Sequence, residues 1–209
     1  MNKSRLVQMS DNLITIVMTL LTIDIKIPVL HHTDVSSAEL LHDLSGLQSI
    51  FMSYVLSYAV IAMFWMSHHA LFHLFAKQID RTMIVINMVY LFFITLIPFS
   101  ANLLGVYTNN TAAAIIYGFN ILFISFAAIV MLEYALKNNE IASKEVTPRM
   151  VTLARVRLWL TPCFYLLGML CAFVHEGLAV FFFLFPIIFN TMPGTLVFTE
   201  KFLQIKIDS

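Results

Sequence analysis

The sequence predicts an all-α integral membrane protein with six transmembrane helices per subunit, and three observations carry the prediction. Of 209 residues, 60% are hydrophobic and 11% charged, a balance outside that of soluble domains. From Thr82 to Leu132 there is no Asp, Glu, Lys or Arg, a stretch too long for one bilayer crossing of about 20 residues. Lys and Arg also collect on one side of the spans that result, as the positive-inside rule expects. Six crossings of that length use roughly 120 residues, so a single transmembrane domain occupies 1–209.

The first span, 5–27, is the most polar, with only twelve uncharged residues between Asp11 and Asp24. MNKSRLVQMSD contains no small-residue cleavage site after an apolar core, so this run is expected to stay in the protein. The loop HHTDVSSAELLHDLSG follows. Ser36 and Glu39 in it have capping-box spacing, which predicts a short helix carrying Leu40, Leu41 and Leu44 over the outer surface. The second span covers 46–75. The charge-free stretch is divided by GVYTNNT at 105–111, which gives spans 83–105 and 111–136. His175, Glu176 and Gly177 separate the last two, 150–174 and 178–203. Pro162, Pro186 and Pro193 fall inside apolar runs, where membrane helices tolerate kinks.

With the N-terminus inside, Lys3, Arg5, Lys77, Arg81, Lys137, Lys144, Arg149, Arg155, Arg157, Lys201 and Lys206 lie on the inner side and Lys26 alone on the outer. Both termini are therefore expected on the cytoplasmic face. Twelve basic residues balance twelve acidic ones with no basic block, which argues against nucleic acid as a partner. Cys163 and Cys171 share one apolar run and read as buried thiols, not a disulfide framework or a metal site.

Ionisable groups within a bilayer mark functional or tightly packed sites, and the first span holds Arg5, Ser10, Asp11, Asp24, Lys26 and three threonines. A helix this polar does not suit lipid on all sides, so it is the candidate for the centre of an assembly. At 100° per residue Ile16, Leu20, Ile23 and Ile27 form one stripe, and Thr15, Thr19 and Thr22, continuing to Asp11 and Lys26, form another about a quarter turn away. One stripe can line a pore while the other bonds to neighbouring helices. Ordinary packing accounts for an aliphatic stripe too, and threonine hydroxyls commonly return to carbonyls one turn back.

A second constellation, Phe64, Trp65, Ser67, His68, His69, Phe72 and His73, lies near the inner end of span two. His69 and His73 are i and i+4, a spacing that can hold a transition metal; the other reading is hydrogen-bonded helix packing, and no Glu or Cys nearby completes a ligand set. Ser10 and Asp11 lie at the membrane depth of His68 and His69. A buried carboxylate accepting from His and Trp donors explains both groups, with Asn87 of span three able to join.

These residues resemble a known family. Arg5, Ser10 and Asp11 followed by ITIVMTLLTIDIKIP are similar to the first-helix signature of the bacterial branch of the endosomal and lysosomal potassium channel family called transmembrane protein 175, with Met9 where that signature has Phe. The likeness extends through FWMSHH at 64–69, Asn87, LIPF at 96–99, Tyr117, Pro162 and Tyr165. It implies a homotetramer whose first helices line a central potassium pathway, without the TVGYG carbonyl loop, which is absent here. It further implies that Ile16, Leu20 and Ile23 form the pore constriction, that Thr19 offers a hydroxyl at the pore edge, and that Arg5, Ser10, Asp11, Trp65, His68, His69 and Asn87 form a structural polar network. Asp24 is expected either to attract cations at the outer mouth or to pair with Lys26 or the loop.

The expected activity is leak-type, potassium-selective conduction in a prokaryotic plasma membrane, with K+ as the permeant ion, the lipid bilayer and identical subunits as partners, and no cofactor or metal. No span carries arginines at every third residue, as a voltage sensor would. The alternative is a proton-coupled secondary transporter using His68 or His69, against which there is no visible inverted repeat. An enzyme is not expected, because no nucleophile lies beside a base.

Overall fold

The computed structural model describes residues 2–26 and 36–192, without the side chains of Asp24 and Glu176. Eight α-helices follow in order: α1 Lys3–Leu20, α2 Ser37–Ser45, α3 Gln48–Ala70, α4 Arg81–Thr95, α5 Ile97–Val106, α6 Thr111–Lys137, α7 Pro148–Cys171 and α8 Glu176–Thr191. With α4 and α5 taken together, five of these segments are long and apolar enough to cross a membrane. The α8 segment is shorter, and the remainder of the predicted span 178–203 lies outside the described residues.

Helix α6 is the most enclosed, packed against α4, α5 and α7, while α7 and α8 form an antiparallel pair at its side. Helix α1 rests on α4 and α3 at the edge of the bundle. The core is one continuous cluster, with Tyr90, Tyr117, Tyr165, Phe64, Phe72 and Phe183 fully buried.

Two predicted spans differ in detail. The segment 83–105 is not one helix but breaks at Leu96, whose N–H bonds to Phe93 O at 3.2 Å. The cause is Pro98: it has no N–H, its ring opposes the carbonyl of Ile94, and it disfavours helical geometry at Ile97. The first span ends in a tight turn, Leu21–Asp24, and the chain has left helical geometry at Ile25. Helix α3 likewise ends in a widened π turn, Leu71–Phe75, closed by Ala76 N–H on Leu71 O.

The α2 cap forms as read from Ser36 and Glu39, with Ser36 Oγ accepting from Glu39 N–H at 3.2 Å, and none of the α2 residues is buried. The expectation of two buried cysteines is corrected: Cys163 is exposed and Cys171 half-buried. Helix α7 turns Tyr165, Gly168 and Met169 toward α6 and α8, which leaves Cys163 on the outward side.

Close approach decides two glycines. A Cβ on Gly105 would lie 2.9 Å from Ile50 Cα, and one on Gly168 would meet Phe183 at 2.6 Å and the Ala179 carbonyl at 3.1 Å. Gly105→Ala should therefore lower stability by about 1–3 kcal/mol, the usual cost of overpacking. Thermal unfolding of the purified protein measures this, and an unchanged midpoint would mean that the α3–α5 contact relaxes freely.

Asp80 caps α4. Its Oδ1 accepts from Met83 N–H at 2.7 Å and its Oδ2 from the Tyr134 hydroxyl of α6. Burial pushes this carboxyl up, but the bonds from Tyr134 and the α4 amides outweigh burial and hold it below its ordinary value. A carboxyl depressed by folding adds stability above its unfolded value of about 3.9, and that contribution is lost as pH falls through the folded value. Asp80→Ala should cost about 0.5–2 kcal/mol at neutral pH. Its difference from wild type should stay flat down to about pH 4 and narrow below; a difference that narrows between pH 7 and 5 would contradict the assignment.

Candidate ion pathway and its polar scaffold

Helix α1 has two dissimilar faces. Leu6, Ser10, Ile14, Val17 and, just beyond, Leu21 are buried against the bundle. Ile16, Leu20 and Ile23 face away, with 58%, 42% and 65% of their surface exposed. Thr15, Thr19 and Thr22 are exposed beside them, and their hydroxyls donate to the carbonyls of Asp11 at 2.8 Å, Ile16 at 2.7 Å and Thr19 at 2.7 Å. Each threonine keeps lone pairs directed outward while its proton is committed to the backbone.

The buried face is anchored by a chain of three side chains from three helices. Asn87 of α4 donates through Nδ2 to Ser10 Oγ at 3.0 Å, and Ser10 donates to Leu6 O at 2.9 Å. Asn87 Oδ1 lies 2.8 Å from His68 Nε2. Because the Asn87 amide nitrogen is used on Ser10, its oxygen faces His68, so Nε2 carries a proton and donates to it. The ring is clamped between Tyr90, stacked at 5.3 Å, and Phe72 at 4.8 Å. Ser10, Asn87 and His68 are all buried. Buried groups of this kind gain most when fully bonded and cost most when one partner is lost.

A second anchor is half-exposed. Trp65 Nε1–H donates to Asp11 Oδ1 at 2.9 Å. Trp65 packs on His69 at 5.9 Å, and His69 stacks on His73 at 5.1 Å. His68 and His69 thus part company: the first turns into the bundle, and the second turns outward with Trp65 and His73. Arg5 is exposed too, about 20° from Ile16 around the helix axis, away from the buried chain. The structure therefore joins Ser10, Asn87 and His68 in one group and Asp11 and Trp65 in another, and leaves Arg5 and His69 outside both sets of hydrogen bonds. The Asp24 side chain lies outside the described residues. No group of three metal-ligating side chains occurs among the described residues.

Two features were not singled out from the sequence. Tyr90 forms a wall of the His68 site and donates through its hydroxyl to Phe64 O at 3.1 Å. Asn12 is exposed on the same side of α1 as Ile16, and its i, i+4 spacing from Ile16 was the available signal. Tyr117 and Tyr165 come together in the core, with rings 6.4 Å apart and Ser57 Oγ bonded to the Tyr117 hydroxyl at 3.2 Å.

Comparison with known proteins finds similar channels. Residues 5–98 match the sequence profile of the family described as endosomal/lysosomal potassium channel TMEM175. A protein named potassium channel from Chryseobacterium sp. (strain P1-3) is 23% identical over 185 residues, 88% of this chain and 89% of that protein. Another so named, from Chamaesiphon minutus, is 31% identical over 111 residues, 53% of each chain. The crystal structure of a lysosomal potassium-selective channel TMEM175 homolog from Chamaesiphon minutus superposes with a TM-score of 0.76 at 25% identity, covering 90% of this chain and 95% of that one.

Proposed function

We propose, from the premise that this chain belongs to the TMEM175 family of endosomal/lysosomal potassium channels, that four copies assemble around α1 into a leak-type potassium channel. The family is one of channels, not of enzymes. The observation that carries the proposal is the outward stripe of Ile16, Leu20 and Ile23 on a helix whose opposite face is bonded into the bundle. Lipid alone is a poor match for that stripe, because Asn12, Thr15, Thr19 and Thr22 lie beside it. A four-fold axis along α1 places the stripe against its own copies and the polar side chains against water.

In this arrangement Ile16, Leu20 and Ile23 form the constriction and Thr19 sits at its edge. A ring of aliphatic side chains supplies no charge or carbonyl to replace hydration, so conduction depends on dewetting and on the cost of shedding water. Potassium sheds water more easily than sodium, which favours it modestly. The Ser10–Asn87–His68 chain and the Asp11–Trp65 bond hold α1 to the bundle and so set the ring's diameter. Asp24 either attracts cations at the outer mouth or pairs with Lys26 or the loop, Arg5 belongs to the inner mouth, and His69 supports Trp65. The distribution of Lys and Arg supports cytoplasmic termini, and the bacterial relatives support a prokaryotic plasma membrane.

The test is reconstitution of the purified protein. A four-subunit mass and electrogenic potassium flux exceeding sodium flux, without any pH gradient, are the expected results. A monomeric mass, or flux that requires a proton gradient, would overturn the proposal.

A further inference from the structure

We infer that Asn12 forms a ring of amide oxygens that holds a partly dehydrated potassium ion immediately inside the Ile16 constriction. The inference rests on the pore arrangement proposed above and adds to it a polar ion site that the aliphatic ring lacks.

Asn12 precedes Ile16 by four residues, so it lies about 6 Å nearer the helix N-terminus and about 40° around the axis. Both residues are exposed on the subunit surface. No hydrogen bond among the described residues engages the Asn12 side chain, whereas Ser10 and Asp11, its neighbours in sequence, are both bonded into the bundle. The rotation between adjacent helical positions explains the contrast: the face carrying Ser10 is turned toward α4, and the face carrying Asn12 is turned away.

Depth makes this position costly in lipid. Asn12 is one turn or less from Ser10 and Asp11, which are level with Asn87, His68 and Trp65, so it lies at membrane depth. A primary amide facing hydrocarbon there would leave two N–H donors and a carbonyl unsatisfied. Facing a water-filled vestibule, the same amide is fully hydrated and can also lend its oxygen. Neutral oxygens are suitable ligands for potassium, and the carbonyl rings of other channels replace hydration in this way.

The ion's problem at an apolar ring is the loss of water with nothing in exchange. Four amide oxygens one turn inside that ring supply a partial exchange at the point where dehydration begins. Arg5, seven residues further toward the N-terminus and exposed, adds positive charge about 10 Å away. A cation at Asn12 must therefore be held by direct oxygen ligation, not by the field of the inner mouth.

Asn12→Leu, Asn12→Asp and Ile16→Ala proteins in planar bilayers test the inference, with reversal potentials in opposing potassium and sodium gradients and block by barium from the inner side. Asn12→Leu is expected to lower potassium current severalfold with the tetrameric mass unchanged. Asn12→Asp should tighten barium block by about tenfold or more, since four carboxylates converge on one ion. Unchanged block and current in both Asn12 variants, alongside a shifted reversal potential in Ile16→Ala, would overturn the Asn12 site while leaving the pore intact. No shift in any of the three would instead defeat the pore arrangement. Loss of the tetramer in Asn12→Leu with normal barium block in Asn12→Asp would assign Asn12 to subunit packing and also overturn the inference.

Discussion

Ile16→Asn is expected to raise current and to lower the potassium-to-sodium permeability ratio, the largest functional effect in the molecule. The side chain is 58% exposed in the subunit, on the stripe that the proposed arrangement turns toward the pore axis. A polar side chain there lets water persist in the ring, so both ions keep more of their hydration and are distinguished less well. Ile16→Ala widens the ring and acts in the same direction. A tenfold loss of discrimination corresponds to about 1.4 kcal/mol between the two ions, a plausible scale for a site without a carbonyl cage. Subunit stability should stay within about 0.5 kcal/mol of wild type, as for exposed substitutions in general.

The threonine stripe supplies the contrast. Thr15 and Thr22 already donate their protons to backbone carbonyls, so Thr15→Val and Thr22→Val should leave the reversal potential nearly unchanged. Reversal potentials for Ile16→Ala, Ile23→Ala, Thr15→Val and Thr22→Val decide the matter. Unchanged values in Ile16→Ala and Ile23→Ala, together with a shift in Thr22→Val, would place the threonines on the pathway and reduce the isoleucines to packing.

Asn87→Ala should produce the largest loss of assembly. Removing this amide strips Ser10 Oγ of its donor and His68 Nε2–H of its acceptor, both fully inside the bundle. Each unsatisfied buried group costs about 1–3 kcal/mol, and the vacated volume adds to that. Against a total stability of about 5–15 kcal/mol for a typical domain, α1 loses its main attachment and the yield of tetramer falls. Asp11→Ala should be milder, since it breaks one half-exposed bond to Trp65. Asp11→Asn keeps an acceptor oxygen for Trp65 and should be milder again. Size-exclusion yield and thermal midpoints rank the three; an Asn87→Ala tetramer that forms normally yet conducts nothing would move Asn87 from the scaffold to the ion path.

The parts of this protein that its sequence settles are those governed by local pattern. The charge-free stretch from Thr82 to Leu132 with GVYTNNT in its middle specifies membrane helices on either side of a turn, and α6 begins at Thr111 as that pattern requires. Ser36 and Glu39 specify the start of α2 because a cap is made within one helical turn. The periodicity of α1 sets Ile16, Leu20 and Ile23 on one stripe, since a helix's angular repeat does not depend on its neighbours.

Which face of α1 turns inward depends on helices far away in sequence, and only the tertiary structure decides it. Ser10 and Asn87 are 77 positions apart and Asp11 and Trp65 are 54 apart; no local pattern encodes such pairings. The same holds for His68 and His69, equally plausible as partners from spacing alone, because adjacent positions point 100° apart and packing against Tyr90 and Phe72 selects the first. The outward side of α7, which carries Cys163, follows from α6 and α8 occupying the other side. Local periodicity defines faces; burial against a neighbour chooses among them, because the free energy of burial belongs to the pair of surfaces and not to either helix by itself.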